Sequence, residues 1–278
     1  MKVKDITAVL EEFAPLSVQE SWDNSGLLIG SPEDDVTGVL VGFDCTPELI
    51  DEAAAKGCNM VVTHHPLIFK GVRRINSQDP VGAAIVKAVK AGVAVYAAHT
   101  TADKVIGGVS YDMAAKLGLK NVHILEQDGE DSGLGCVGEF PVPITAEAAL
   151  EHVRKAFGLK IIKHSKPVSG LISRVAVMGG SGGGEIAAAI AAGAQLYITG
   201  DISYHNFFQP EGFMVMDIGH FESEVGIVDI FLSKIRKIFP NFAVLKSEVL
   251  DGGNPVRYYG IAGQAGNDAW AGNDAGKK

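Results

Sequence analysis

Apolar positions along this chain fall into two alternating rhythms. Short β-branched runs bounded by Gly or Pro alternate with Ala-rich stretches of helical period, which predicts buried strands connected by covering helices. Val39-Leu-Val-Gly-Phe43 reads as one such strand, residues 47–56 as a helix stopped by Gly57 in the C′ position, and Met60-Val-Val-Thr63 as the next strand. The last strand ends abruptly in His64, His65 and Pro66.

The pattern then repeats. A shift of 136 residues lays Val39–Thr63 on Val175–Thr199 without a gap. The second copy has a strand Val175-Ala-Val-Met-Gly179, a helix over 184–192, Gly193, and a strand closing at Thr199. Gly200 and Asp201 stand where the first copy has its two histidines. The match resumes at a new offset, with strands Val93–Ala97 and Phe213–Asp217 each followed by a histidine and, four residues later, an acid. These pairs are His99 with Asp103 and His220 with Glu224. A helix with Val225, Val228, Phe231, Ile235 and Ile238 on its apolar side follows the second. The pattern predicts an α/β protein of two duplicated βαβ halves, over residues 1–125 and 171–260, joined by a connecting segment at 126–170. Residues 261–278, small, polar and Gly-rich around Trp270, read as a disordered tail.

Chemistry concentrates where strands leave the sheet, the usual place for ligands in α/β folds. Neighbouring side chains leaving a strand diverge, so His64 and His65 reach two points a few ångströms apart. That suits two metal ions better than one. His and acid at i and i+4 share a helix face, which brings His99 with Asp103 and His220 with Glu224 to the pair as candidate partners. Imidazole with carboxylate suits Zn, Mn, Fe, Co or Ni, whereas oxygen cages suit Ca and Mg. Two ions about 3.5–4 Å apart need a bridging ligand, which a carboxylate provides. Gly179-Gly-Ser-Gly-Gly-Gly184 reads as a tight turn that permits close packing, with a phosphate cradle as the weaker alternative. Trp22 reads as a buried anchor, with Asp23 and Asn24 satisfying local backbone groups.

Composition narrows the classes. A net charge of −9 argues against nucleic acid or an anionic membrane as partner. The opening residues lack an apolar signal core and no stretch is long enough to cross a bilayer. Cys45, Cys58 and Cys136 show no CxxC spacing and read as reduced thiols, which places the protein in the cytoplasm.

Four motifs carry a resemblance: Ser21-Trp-Asp-Asn-Ser-Gly-Leu-Leu-Ile-Gly30, Thr63-His-His-Pro66, His99-Thr-Thr-Ala-Asp103 and Gly219-His-Phe-Glu-Ser-Glu224. Together they resemble the Nif-three-like proteins, often labelled GTP cyclohydrolase 1 type 2 homologues, from the first residues to about Tyr259. The resemblance implies two intertwined α/β/α three-layer lobes, a dinuclear metal site and a toroidal homohexamer. It implies His64, His65, Asp103, His220 and Glu224 as metal ligands, with Glu224 bridging, and places Asp23 as a polar contact to substrate or water. His99 is then a support for the ligands or a catalytic residue facing substrate. Some members carry a regulatory-type domain between the lobes, for which Lys120–Lys166 is too short. The resulting expectation is a hydrolase with two divalent ions, Glu224 and His99 as catalytic residues, and metal-held hydroxide attacking a small-molecule substrate. The family label suggests a nucleotide. The rival readings are a non-catalytic protein that stores or delivers metal, and a nucleotide sensor using the glycine loop.

Overall fold

The computed structural model describes residues 1–258, so the tail expected over 261–278 lies outside the described residues. The first half runs α1 (Val3–Phe13), β1 (Gly26–Ile29), β2 (Val39–Val41), α2 (Pro47–Ala55), β3 (Met60–Thr63), α3 (Pro80–Ala91), β4 (Ala94–Ala97), α4 (Thr100–Asp103) and α5 (Val109–Lys116). Next come β5 (Lys120–Gln127), β6 (Gly133–Ile144), α6 (Ala146–Ala156), β7 (Lys163–His164) and β8 (Ile172–Ser181). The chain finishes with α7 (Ile186–Ala191), β9 (Leu196–Gly200), β10 (Met214–Asp217), α8 (His220–Glu224), α9 (Ile227–Ile238) and β11 (Val244–Lys246).

The strands form two sheets, β1-β4-β3-β2-β11 and β5-β6-β8-β9-β10-β7. The duplication survives at the level of register. Val39 pairs with Met60 in the first sheet and Val175 with Leu196 in the second, the same residues that the 136-residue shift superposes. Thr63 opposite Ala97 and Thr199 opposite Asp217 extend the correspondence to the third strand. Gly57 and Gly193 end the two crossover helices at φ +71° and +73°, a left-handed conformation that glycine adopts without a Cβ clash. The helix expected over 184–192 is shorter than its partner, because Gly183–Glu185 forms a 3-10 turn before α7.

Each sheet is buried on both faces, giving two α/β/α layers. Val39, Val41, Met60, Val62 and Tyr96 pack under α1 and α9, while Leu40, Val61 and Val95 face α2 and α3. In the second sheet Val175, Val177, Leu196 and Ile198 meet α5 and α6, and Ala176, Tyr197 and Val215 meet α7. The lobes are intertwined. Helix α9 comes from the second half and packs on α1, while α5 comes from the first half and packs on β6 and β8.

Pairing crosses the boundaries expected from periodicity. Residues 126–170, expected to connect the halves, supply all of β6, α6 and β7, each packed into the second lobe. Val244–Lys246 returns to pair with β2 in the first sheet. The apolar face of α9 is made by Ile227, Val228, Phe231, Leu232 and Ile235, whereas Ile238 is 52 % exposed at the helix end. Cys45, Cys58 and Cys136 are free thiols. Among the described residues no helix is long and apolar enough to cross a membrane.

Candidate metal centre

The carboxyl ends of β3, β4 and β10 point their following residues into one space. His64 and His65 leave β3, Asp103 closes α4 after β4, and α8 after β10 begins with His220 and ends with Glu224. All five expected ligands therefore come together, from both lobes. Glu224 Oε2 lies 3.0 Å from His220 Nε2, 3.2 Å from His65 Nε2 and 3.7 Å from His64 Nε2. Asp103 Oδ1 is 3.5 Å from His64 Nε2.

The far side of each ring fixes its tautomer. His64 Nδ1 donates to the Ala98 carbonyl at 2.9 Å, His65 Nδ1 to Asp44 Oδ1 at 2.7 Å and His220 Nδ1 to Asp201 Oδ2 at 2.8 Å. A carbonyl or carboxylate accepts only, so in each neutral ring the Nε2 lone pair faces the carboxylates. Lone pairs facing lone pairs repel unless a cation or proton sits between them. His64 Nε2, Asp103 Oδ1 and Glu224 Oε2 are buried with no hydrogen-bond partner, an arrangement that is costly unless it serves a ligand. The titration behaviour reflects the same crowding. Burial pushes His65 and His220 down, but Asp44 and Glu224 outweigh it for His65, and Glu224 and Asp201 for His220, raising them to about 10 and about 9. Burial, with the Glu224 charge, holds Asp103 above the usual carboxylate range. Glu224 lies well below that range, because the three surrounding imidazoles outweigh its burial.

The donors sort into two groups that share Glu224: His64, Asp103 and Glu224, and His65, His220 and Glu224, the ligand atoms of each lying within 4.8 Å of one another. Either group could hold a metal ion. His99 falls in a third group with His64 and His65. It is not the counterpart of His220: His99 precedes α4, whereas His220 is the first residue of α8. Its Nδ1 donates to Asp23 Oδ1 at 2.8 Å. The Asp23 side chain is fully buried and also accepts from Ser25 Oγ, the Thr100 amide and Thr100 Oγ1. Burial would raise the Asp23 carboxyl, but His99, Thr100 and Ser25 hold it well below the ordinary value. Every acceptor direction of Asp23 is thus used by protein, and it is a brace for His99. Trp22 departs from the buried anchor expected of it: it is 57 % exposed, edge-on to Phe69 and His99 with ring centroids 5.9 and 6.1 Å apart.

The glycine stretch serves packing. Gly180, at φ +63°, runs so close to Glu224 that a Cβ there would sit 2.2 Å from Oε1, and the Gly180 amide donates to Ser223 Oγ. Gly182 is tied to Thr199 and Tyr197; the close packing expected of the stretch is present, although residues 179–181 continue β8 and only Gly183–Glu185 turn. His205 is exposed and stacks on Phe208 away from the ligands. Asp44 and Asp201 are the residues that sequence reasoning passed over. Asp201 stands at the duplicate position of His65 and has a left-handed backbone, φ +50°, unusual outside glycine.

Two α/β/α lobes that close on a shared His/carboxylate cluster define a candidate metal-binding protein of duplicated α/β type. The Duf34/NIF3 (NGG1p interacting factor 3) profile matches residues 1–251, and the chain belongs to this family. It is 32 % identical to a Clostridium perfringens protein called GTP cyclohydrolase 1 type 2 homolog, over 85 % of this chain and 92 % of that one. A Clostridium acetobutylicum protein of the same name is 33 % identical over 85 % of this chain and 90 % of its own. Among solved structures, a Staphylococcus aureus protein superposes with a TM-score of 0.84 at 29 % identity, covering 93 % of this chain and 99 % of that one. Reduced HcgD from Methanocaldococcus jannaschii superposes with a TM-score of 0.75 at 26 % identity, over 89 % of this chain and 98 % of that one.

Proposed function

We propose that the protein is a dinuclear metal-dependent hydrolase. His64, Asp103 and Glu224 would hold one divalent ion and His65, His220 and Glu224 the other, with the Glu224 carboxylate bridging. The observation that carries this reading is the set of buried, partnerless atoms His64 Nε2, Asp103 Oδ1 and Glu224 Oε2, ringed by imidazoles whose Nδ1 protons are committed elsewhere. Ions of the Zn, Mn, Fe, Co or Ni class bound there would polarise a carbonyl or phosphoryl oxygen and acidify water. His99, braced by Asp23 through Nδ1, keeps Nε2 to take or return a proton at the leaving group. The relatives' name supports a nucleotide as the small-molecule substrate. The family resemblance supports a homohexamer, and the free thiols favour the cytoplasm.

The test is elemental analysis of protein purified without a histidine tag, together with turnover on a panel of nucleotides and phosphoesters. Wild type should carry about two metal equivalents per chain, the number the two donor groups call for. Glu224→Gln should lose turnover by at least about a hundredfold, the upper end of losses for residues that only support a ligand. Unaltered turnover in that variant would sink the hydrolase reading. Metal that exchanges readily with chelator, with no turnover on the panel, would point instead to storage or delivery.

A further inference from the structure

Outside the ligand cluster, one wall of the site is built from groups that a metal does not need. The loop between β3 and α3 runs from His64 to Asp79 without regular structure, long enough for loops of this kind to be functional. Its position is set from the neighbouring turn: Asn24 Nδ2 donates to the Ile68 carbonyl at 2.6 Å. That bond holds Phe69 against Trp22, and both rings stand edge-on to His99, with centroids 5.9 and 6.1 Å from it. Phe69 is 42 % exposed and Trp22 57 %, an open pair of aromatic faces in a protein that buries Tyr96 and Tyr197 completely. Exposed aromatic surface of this size is unfavourable in water and usually marks a binding surface.

Charge on the same loop completes the argument. Lys70, Arg73 and Arg74 follow Phe69 within five residues and are exposed. None of them forms an ion pair among the described residues, although the chain carries 33 acidic side chains. Unpaired cations on the loop that carries an open aromatic face are complementary to a flat ring bearing an anionic group.

We propose that Trp22 and Phe69 form a ring-binding jaw at the mouth of the site, and that Lys70, Arg73 and Arg74 bind an anionic substituent carried by the same ligand. The ligand is a flat conjugated ring with a phosphate or carboxylate attached, laid across the jaw so that its edge meets His99. This assigns a substrate class to residues with no part in metal binding. It rests on the hydrolase reading only for the statement that the bound molecule is then turned over.

The probes are GMP (ring and phosphate), guanosine (ring alone) and ribose 5-phosphate (phosphate alone), titrated calorimetrically into the metal-loaded full-length protein. GMP should bind tightest and quench Trp22 fluorescence. Trp22→Ala should weaken GMP and guanosine by about tenfold, the scale of one lost stacking contact, and leave ribose 5-phosphate unchanged. The combined Lys70→Ala, Arg73→Ala, Arg74→Ala variant should weaken GMP and leave guanosine unchanged. All four side chains are exposed, so melting temperatures should match wild type and exclude misfolding. The proposal is overturned if wild type binds neither GMP nor guanosine, or if Trp22→Ala binds GMP as wild type does. Glu224→Gln separates the two readings. GMP binding retained in that variant supports the jaw whatever happens to turnover, whereas retained turnover there defeats only the hydrolase reading.

Discussion

At the scale of single residues, the site depends on carboxylates that never touch the cluster's centre. Asp44 and Asp201 hold the outer nitrogens of His65 and His220, so that each ring turns its Nε2 inward. Such supporting partners typically set metal affinity by about 10–100-fold. Asp201→Asn should therefore lower metal affinity by that amount, read by competition with a chromogenic chelator. Asn tolerates the left-handed backbone at this position and the side chain is 55 % exposed, so the metal-free melting temperature should not change. Wild-type affinity in that variant would show that His220 needs no brace. That His64, His65, Asp103, His220 and Glu224 would cluster was legible in the sequence, because they stand after strand ends in a repeated pattern. Asp44 and Asp201 were not, since a lone carboxylate in a loop looks like any solvated residue until its partner is placed beside it. Trp22 misled for a related reason: a tryptophan between polar residues looks like an anchor, and only the fold shows that its face is open.

At the scale of elements, the two βαβ units were readable down to their register, because local periodicity and glycine stops specify them. The last strand was not, because its pairing with β2 joins residues far apart in the chain. What secures β11 is a polar clasp at its end. Glu52, on α2, accepts from Ser247 Oγ at 2.5 Å and from the amides of Glu248 and Val249 at 2.8 and 3.3 Å, and pairs with Lys56 at 2.8 Å. Burial raises its carboxyl, but the Glu248 amide, Lys56, Ser247 and the Val249 amide outweigh it and hold the group down at about 2. A carboxyl depressed in the folded state adds stability above its unfolded pKa, and this is lost as pH falls towards the folded value. Glu52→Gln should thus cost about 1–2 kcal/mol at neutral pH, the scale of charge-assisted hydrogen bonds at a mostly buried group. Denaturant melts of the two proteins should converge between pH 5 and pH 2. A difference independent of pH over that range would show that the clasp works through packing.

At the scale of the whole molecule, the candidate centre joins the lobes, since His64, His65 and Asp103 follow strands of one sheet and His220 and Glu224 follow a strand of the other. Metal binding should then stabilise the molecule as a unit. Chelation should lower the melting temperature and re-addition restore it, by about 4 kcal/mol when free metal exceeds its dissociation constant a thousandfold. Loading should also release protons near pH 7, because His65 and His220, raised to about 10 and about 9, are protonated in the metal-free protein. Apparent affinity should accordingly rise with pH up to that range. Calorimetric loading in buffers of different ionisation enthalpy measures the release, and none at all would mean the rings were already neutral.

The return of β11 to the first sheet also has a consequence for biosynthesis. While the chain emerges from a ribosome, β2 is made early, yet its neighbour arrives only with Val244–Lys246 and the covering helix α9 only shortly before. Until then one side of the first sheet is an open edge beneath an apolar face that α1 only half covers, the kind of surface that pairs with other chains. The first lobe is begun first and completed last. A nascent chain stalled before residue 244 should therefore depend on chaperones, and a truncation there should yield aggregates rather than a smaller folded protein.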